Sequence, residues 1–250
     1  WAAGQRVVNG HFGSNGHGRD LGDERLVRAC SGLANAIIVR VSDGGGKGRK
    51  SMPLEERFMF SKERFIEDVR AAMLESDSQE AVSEVVTAAV RDPAGMLASL
   101  GAPGKGRSEQ LYKDDTLTIS NVIWGSEMWV PPHDHTMWAV IGVYQGQEDN
   151  TFWREEESGL AKQGGVELRT GAVRKLGENA IHSVRNPSAT QLCGAVHIYG
   201  GDFFGAIPRR HSWHPDTLER GPYDYEFINS LRDEANERMD ALVRRGVSVS

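Results

Sequence analysis

The chain has 250 residues, 39% of them hydrophobic, and a formal net charge of -6 from 29 basic and 35 acidic side chains. That apolar content is enough for a sizeable core, while scattered Lys and Arg with no basic run argue against nucleic acid or an anionic membrane surface as the main partner. Two cysteines, Cys30 and Cys193, make neither a disulfide framework nor a zinc-thiolate pattern, which fits a reducing compartment. The opening residues lack an apolar core followed by a cleavage site, and no stretch is long enough to span a bilayer. A cytoplasmic protein acting on small molecules is the expectation.

Residues 1 to 50 hold 11 of the 29 glycines and no proline, so this segment is predicted to be poorly ordered. Its "GGGKGRKS" lacks the spacing of a phosphate loop. A helical lead-in is predicted over 51–101. Phe65, Val69, Ala72 and Met73 share one helical face after a Ser61 cap, and Asp77 with Glu80 reads as a capping box before the stripe Val82, Val85, Val86 and Ala89. Asp92-Pro93 opens a third helix that Gly101 closes. From Tyr112 short β-branched and aromatic runs alternate with turn residues, which predicts a β-barrel or sandwich over 112–205. The tail, 222–246, is predicted to be a helix packed outside the barrel, with Phe227, Leu231, Met239 and Leu242 at helical spacing.

The residues with most chemistry lie in "VPPHDHTMWAVIGVYQG". On a strand, positions i and i+2 share a face, so His133 and His135 project together while Asp134 points away. An isolated H-x-H pair is as readily a surface or hydrogen-bonded pair as a metal site. His182, after the turn at Gly177, supplies a third imidazole that strands of one small barrel can bring opposite the first two. Farther on, "VHIYG" places His197 and Tyr199 on one face by the same rule.

Taken together these motifs resemble the cupins, and in particular their cysteine dioxygenase-like thiol dioxygenases. Gly125, His133, His135 and Gly146 match the first motif, Gly177, His182 and Asn186 the second, and His197 with Tyr199 the third. The resemblance implies a mainly β fold, a cupin double-stranded β-helix or jelly-roll barrel with N-terminal helices and a C-terminal helix. It also implies Fe(2+) held by His133, His135 and His182, with His197 and Tyr199 assisting oxidation of a small thiol by O2 to its sulfinate. The slots of the usual cupin glutamate ligand are Ala139 and Val140, leaving a three-histidine set. Val140 also stands where some members carry a cysteine crosslinked to the tyrosine, and Ala195 replaces the serine of a Ser-His-Tyr relay. The family's substrate-carboxylate anchor is matched by Arg107, with Gln110 nearby. Arg185 is another cation close in sequence, although its spacing from His182 points it to the opposite face. Trp124 and Trp138 read either as pocket walls or as plain core. Three histidines with an open position equally describe a zinc site for hydrolysis or isomerisation, and a non-catalytic metal- or ligand-binding cupin is a third reading.

Overall fold

A computed structural model describes residues 59 to 249. The expectations for residues 1 to 50, Cys30 included, lie outside the described residues. Three short helices come first, each stopped and started by its caps. The α1 helix (Lys62–Ala72) is capped by the Ser61 hydroxyl accepting from the Arg64 amide, α2 (Ser78–Ala89) by Asp77 accepting from Glu80, and α3 (Pro93–Leu100) by Asp92 accepting from Gly95. These carboxylates and hydroxyls satisfy amides that have no partner inside the helix. The buried stripes Phe65, Val69 and Val82, Val86 then face the sheet. Each such side chain contributes about 1.5–3 kcal/mol on burial.

Eleven strands follow among the described residues: β1 (Arg107–Lys113), β2 (Thr118–Trp124), β3 (Trp129–Asp134), β4 (Ala139–Gln145), β5 (Gln147–Glu156), β6 (Gly159–Arg169), β7 (Val173–Leu176), β8 (Ile181–Arg185), β9 (Cys193–Tyr199), β10 (His211–Trp213) and β11 (Arg220–Pro222). They form two antiparallel sheets, ordered β1-β2-β9-β4-β7 and β11-β10-β3-β8-β5-β6. The pairs β5 with β6, β4 with β7, β3 with β8 and β2 with β9 nest around one hairpin, and successive pairs alternate between the sheets. A long hairpin rolled in this way is a double-stranded β-helix, or jelly roll. The sheets run from Arg107 to Pro222, wider than the 112–205 read from the sequence. The polar edge strand "RSEQLYK" and the three-residue strands β10 and β11 carry too little alternation to be legible.

Side-chain parity divides the core in two. On β4, Ala139, Ile141 and Val143 join the barrel interior with Val122, Ala195 and Tyr199. Val140, with Val196 and Ile198 of β9, faces the helices instead. Gly142 lies on that helix-facing side. A β-carbon there would come within 2.3 Å of Val86 Cγ1, so only glycine lets α2 approach this closely. The last element, α4 (Tyr225–Arg244), starts at an Asp224 cap and is tied to the chain before β1 by Asn236, which accepts from the Gly106 amide and donates to its carbonyl. It lies against Gly125, at the end of β2. Among the described residues no helix is long and apolar enough to cross a membrane.

The seating of α4 can be tested at Gly125, where an added β-carbon would stand 2.6 Å from the Ala235 Cβ. Gly125→Ala is expected to cost about 1–3 kcal/mol through this overpacking. Gly177→Ala, where a β-carbon meets nothing within 4 Å, is the control. Thermal melts of both variants check it: equal melting temperatures would mean that α4 is not held closely at this point.

Candidate metal centre

His133 and His182 are direct cross-strand partners of β3 and β8, and a bulge between Val130 and His133 re-aims the strand at this point. His135 follows just past the end of β3, and Thr136 turns the chain with φ 57. The three rings converge. His135 Nε2 lies 3.2 Å from His133 Nε2 and 3.2 Å from His182 Nε2, and one ligand atom from each residue falls within a span of 4.8 Å. All three side chains are buried.

Hydrogen bonds on the far side of the rings set their tautomers. His133 Nδ1 is 3.0 Å from the Pro131 carbonyl, which can only accept, so Nδ1 carries the proton and Nε2 keeps its lone pair. His182 Nδ1 is 2.6 Å from Asn150 Oδ1, which places the same demand on it. Two facing lone pairs around His135 Nε2 suit a cation better than a hydrogen bond, since one proton there serves one neighbour only. Two nitrogens bound about 2.1 Å from one ion, at angles between octahedral and tetrahedral, lie about 3.0–3.4 Å apart. The residues fit a mononuclear metal ion.

Charge and burial prepare the set. Burial, with a smaller contribution from the Arg210 guanidinium, holds His133 down to about 3. Burial and the neighbouring imidazoles hold His135 and His182 well below the ordinary histidine range. All three are therefore neutral near pH 7. The loop after β9 braces them: Arg210, only 1% exposed, donates from Nε to the Asp134 carbonyl at 2.9 Å, and Asp134 accepts from the His211 amide. The Arg210 guanidinium is stacked between the rings of Phe203 and Tyr223, at 4.0 and 3.8 Å. Its two terminal nitrogens have no hydrogen-bond partner among the described residues.

A cavity of about 50 Å³ opens over the imidazoles, walled by Trp124, Tyr199 and Phe203 and roofed by Ile228 and Arg232 of α4. Tyr199 Oη is 3.2 Å from His197 Nδ1, its ring meets His135 edge-on at 5.1 Å, and burial pushes its phenol up. Behind them lies a residue that sequence reasoning misses. Glu148 is fully buried: its Oε2 accepts from Trp124 Nε1 at 2.6 Å and lies 3.1 Å from His197 Nε2, while its Oε1 accepts from Asn150 Nδ2 at 2.9 Å. Burial would raise its carboxyl, but the His197 imidazole and these hydrogen bonds outweigh that and hold it below the usual carboxylate range.

The structure thus gathers His133, His135, His182, His197, Tyr199 and Trp124 around one cavity. It leaves Arg107 and Trp138 away from it. Arg107 pairs with Ile123, a residue of the helix-facing core, and its side chain is 38% exposed beside Glu109 at 3.9 Å. Its neighbour Ser108 reaches the cavity instead, and the guanidinium on the wall is that of Arg232. Trp138 has the helix-facing parity of Val140 and packs against that core and over Gly200. Gln110 and Arg185 are exposed, and neither lines the cavity. Parity also corrects the Val140 comparison. The residue opposite Tyr199 on β4 is Ala139, which likewise offers no sulfur for a crosslink. Asn186 is structural, donating to the carbonyls of Trp124, Gly125 and Gln191.

No family model matches the sequence. Solved structures similar to it include several cupins. One is a cupin superfamily protein of Desulfitobacterium hafniense, at 17% identity over 41% of this chain and 83% of that one, with a TM-score of 0.33. Another is an RmlC-like cupin family protein of Methanocaldococcus jannaschii, at 10% identity over 41% and 86%, TM-score 0.34. A third is the Cnp3 cupin domain of Schizosaccharomyces pombe, at 12% identity over 43% and 70%, TM-score 0.35. The jelly-roll assignment rests on the strand order.

The buried imidazoles make the metal-free fold acid-sensitive. Each is neutral when folded, whereas in the unfolded chain it takes up a proton below about pH 6.5. The unfolded state then binds more protons, so stability falls as pH drops below about 6.5, by up to about 1.4 kcal/mol per group per pH unit. Melting of chelator-treated protein at pH 7.5 and 5.5 checks this, with His182→Ala expected to lose less than wild type. An equal pH slope in the two proteins would contradict the buried, neutral state of His182.

Proposed function

We propose that the protein is an Fe(II)-dependent, cysteine dioxygenase-like thiol dioxygenase. The reaction is R–SH + O2 → R–SO2H: both oxygen atoms end on sulfur, and sulfur supplies the four electrons that O2 takes up. His133, His135 and His182 would hold the ion, and ferrous iron there would supply open coordination positions and reversible one-electron exchange. The observation that carries the reading is the charge of the cavity. Its ligand set is three neutral imidazoles with no carboxylate, the buried Arg210 adds positive potential, and the nearby Glu148 is already engaged by Trp124, Asn150 and His197. Such a site favours an anionic sulfur ligand over a neutral one.

The chain's own residues then have distinct tasks. Trp124, Phe203 and α4 exclude water, which strengthens every electrostatic interaction inside. Tyr199 holds a proton at Oη, kept there by burial and oriented by His197, within reach of the group reacting over the imidazoles. The phenol acts unmodified, since Ala139 faces it. A zinc site for hydrolysis uses the same three nitrogens, but it leaves the Tyr199–His197 pair without a task. The scarcity of cysteine supports a cytoplasmic setting.

Iron-loaded protein is expected to consume O2 with a small thiol, screened over cysteine, cysteamine, 3-mercaptopropionate and mercaptosuccinate. Tyr199→Phe should keep its metal and lose roughly ten- to a hundred-fold in turnover, the scale of one hydrogen bond to a reacting group. Tight zinc with no thiol-dependent O2 uptake would overturn the reading. A Tyr199→Phe protein that is merely less stable, with unchanged turnover per folded molecule, would remove Tyr199 from the chemistry.

A further inference from the structure

The buried carboxylate of Glu148 lies behind both halves of the site and meets them through Asn150 and through His197. Its Oε2 takes the Trp124 indole N–H and faces His197, which in turn meets Tyr199. Its Oε1 takes the Asn150 amide N–H. Asn150 has one donor end and one acceptor end. With the donor end committed to a carboxylate, only Oδ1 is left for His182 Nδ1, 2.6 Å away. His182 Nδ1 must then be the protonated nitrogen, and Nε2, the atom facing His135, keeps its lone pair.

We propose that Glu148 is a positioning residue that sets the tautomer of the metal ligand His182 through Asn150, and the orientation of Tyr199 through His197. The second arm is built in the same way. An ionised Oε2 accepts from His197 Nε2–H, which fixes the ring so that its Nδ1 faces the Tyr199 hydroxyl. The carboxylate thus takes the place left open by Ala195 on β9, reaching His197 from the opposite sheet. Outer hydrogen bonds that fix ligand tautomers commonly change metal affinity by 10- to 100-fold. The proposal rests on the three histidines binding a metal ion and not on which reaction follows.

An amide at position 148 supplies the test, because it reverses one end of the chain of hydrogen bonds without changing size. In Glu148→Gln the oxygen can still serve Trp124 and His197, but the amino end then faces Asn150, forcing that side chain to turn its nitrogen toward His182 and protonate Nε2. The double variant Glu148→Gln/Asn150→Asp restores a donor facing an acceptor, and the carboxylate introduced at position 150 again accepts from His182 Nδ1. Affinity for Zn(II) and Fe(II), measured on the full chain by chelator competition beside a thermal melt, reads the outcome. Glu148→Gln is expected to bind roughly ten- to a hundred-fold more weakly, and the double variant to return to within a few-fold of wild type. Nitrogen NMR of His182 in the zinc form should show its proton on Nδ1 in wild type and in the double variant.

A Glu148→Gln protein that binds as wild type does would overturn the proposal. So would a double variant that melts normally yet binds as weakly as the single one. If the single variant does not fold, the double variant decides alone by the same criterion. Wild-type protein that binds metal with the His182 proton on Nδ1 but oxidises no thiol leaves this proposal standing and removes the dioxygenase reading.

Discussion

Removal of polar groups from water is the constraint on which this molecule turns. Four imidazoles, a carboxylate, a guanidinium and a phenol are buried within one jelly-roll barrel, where an unpaired polar group costs several times what it costs at the surface. The barrel offsets much of that cost by giving most of these groups a fixed partner on the same or a neighbouring strand. His133 leans on the Pro131 carbonyl, His182 on Asn150, and His197 on Glu148. Arg210 lies between two aromatic rings and holds the Asp134 carbonyl. Among the imidazoles, the nitrogens that face one another are left unpaired, and a cation between them would satisfy them.

The architecture supplies this arrangement through register. Nesting of strand pairs puts His133 opposite His182, and β9 runs beside β2 and β4 so that Tyr199 faces inward across from Ala139. The helices matter indirectly. By covering the other face of the β1–β7 sheet, α1 to α3 fix which parity of β4 and β9 is interior. The α4 helix, seated on Gly125, closes the cavity from above.

Much of this is legible in the residues, and the limits have physical causes. Caps at Ser61, Asp77 and Asp92 are readable because the donors they satisfy lie within three residues. The H-x-H pair and "VHIYG" are readable because period two is local. Parity across a turn is not local, which is why Arg107 is expected at the cavity and lies elsewhere, and why the residues alone leave Trp138 open between pocket wall and core. Glu148 escapes because "GQEDN" after Gln145 reads as a solvated turn, and only burial separates Glu148 and Asn150 from Gln147 and Asp149 on the same strand. The alternation itself is the available signal, since residues 148 and 150 share a face. Arg210 lies in a loop whose path no periodicity encodes.

Three imidazoles, with no carboxylate, are expected to hold one metal ion. X-ray absorption on the iron(II)-loaded full chain, beside a stoichiometric titration of wild type and His182→Ala, tests it most directly. One ion per chain with scattering from three imidazole rings, and loss of one ring and most of the affinity in His182→Ala, is the expected result. A wild-type spectrum lacking imidazole scattering, or a His182→Ala protein with unchanged occupancy and affinity, would contradict it.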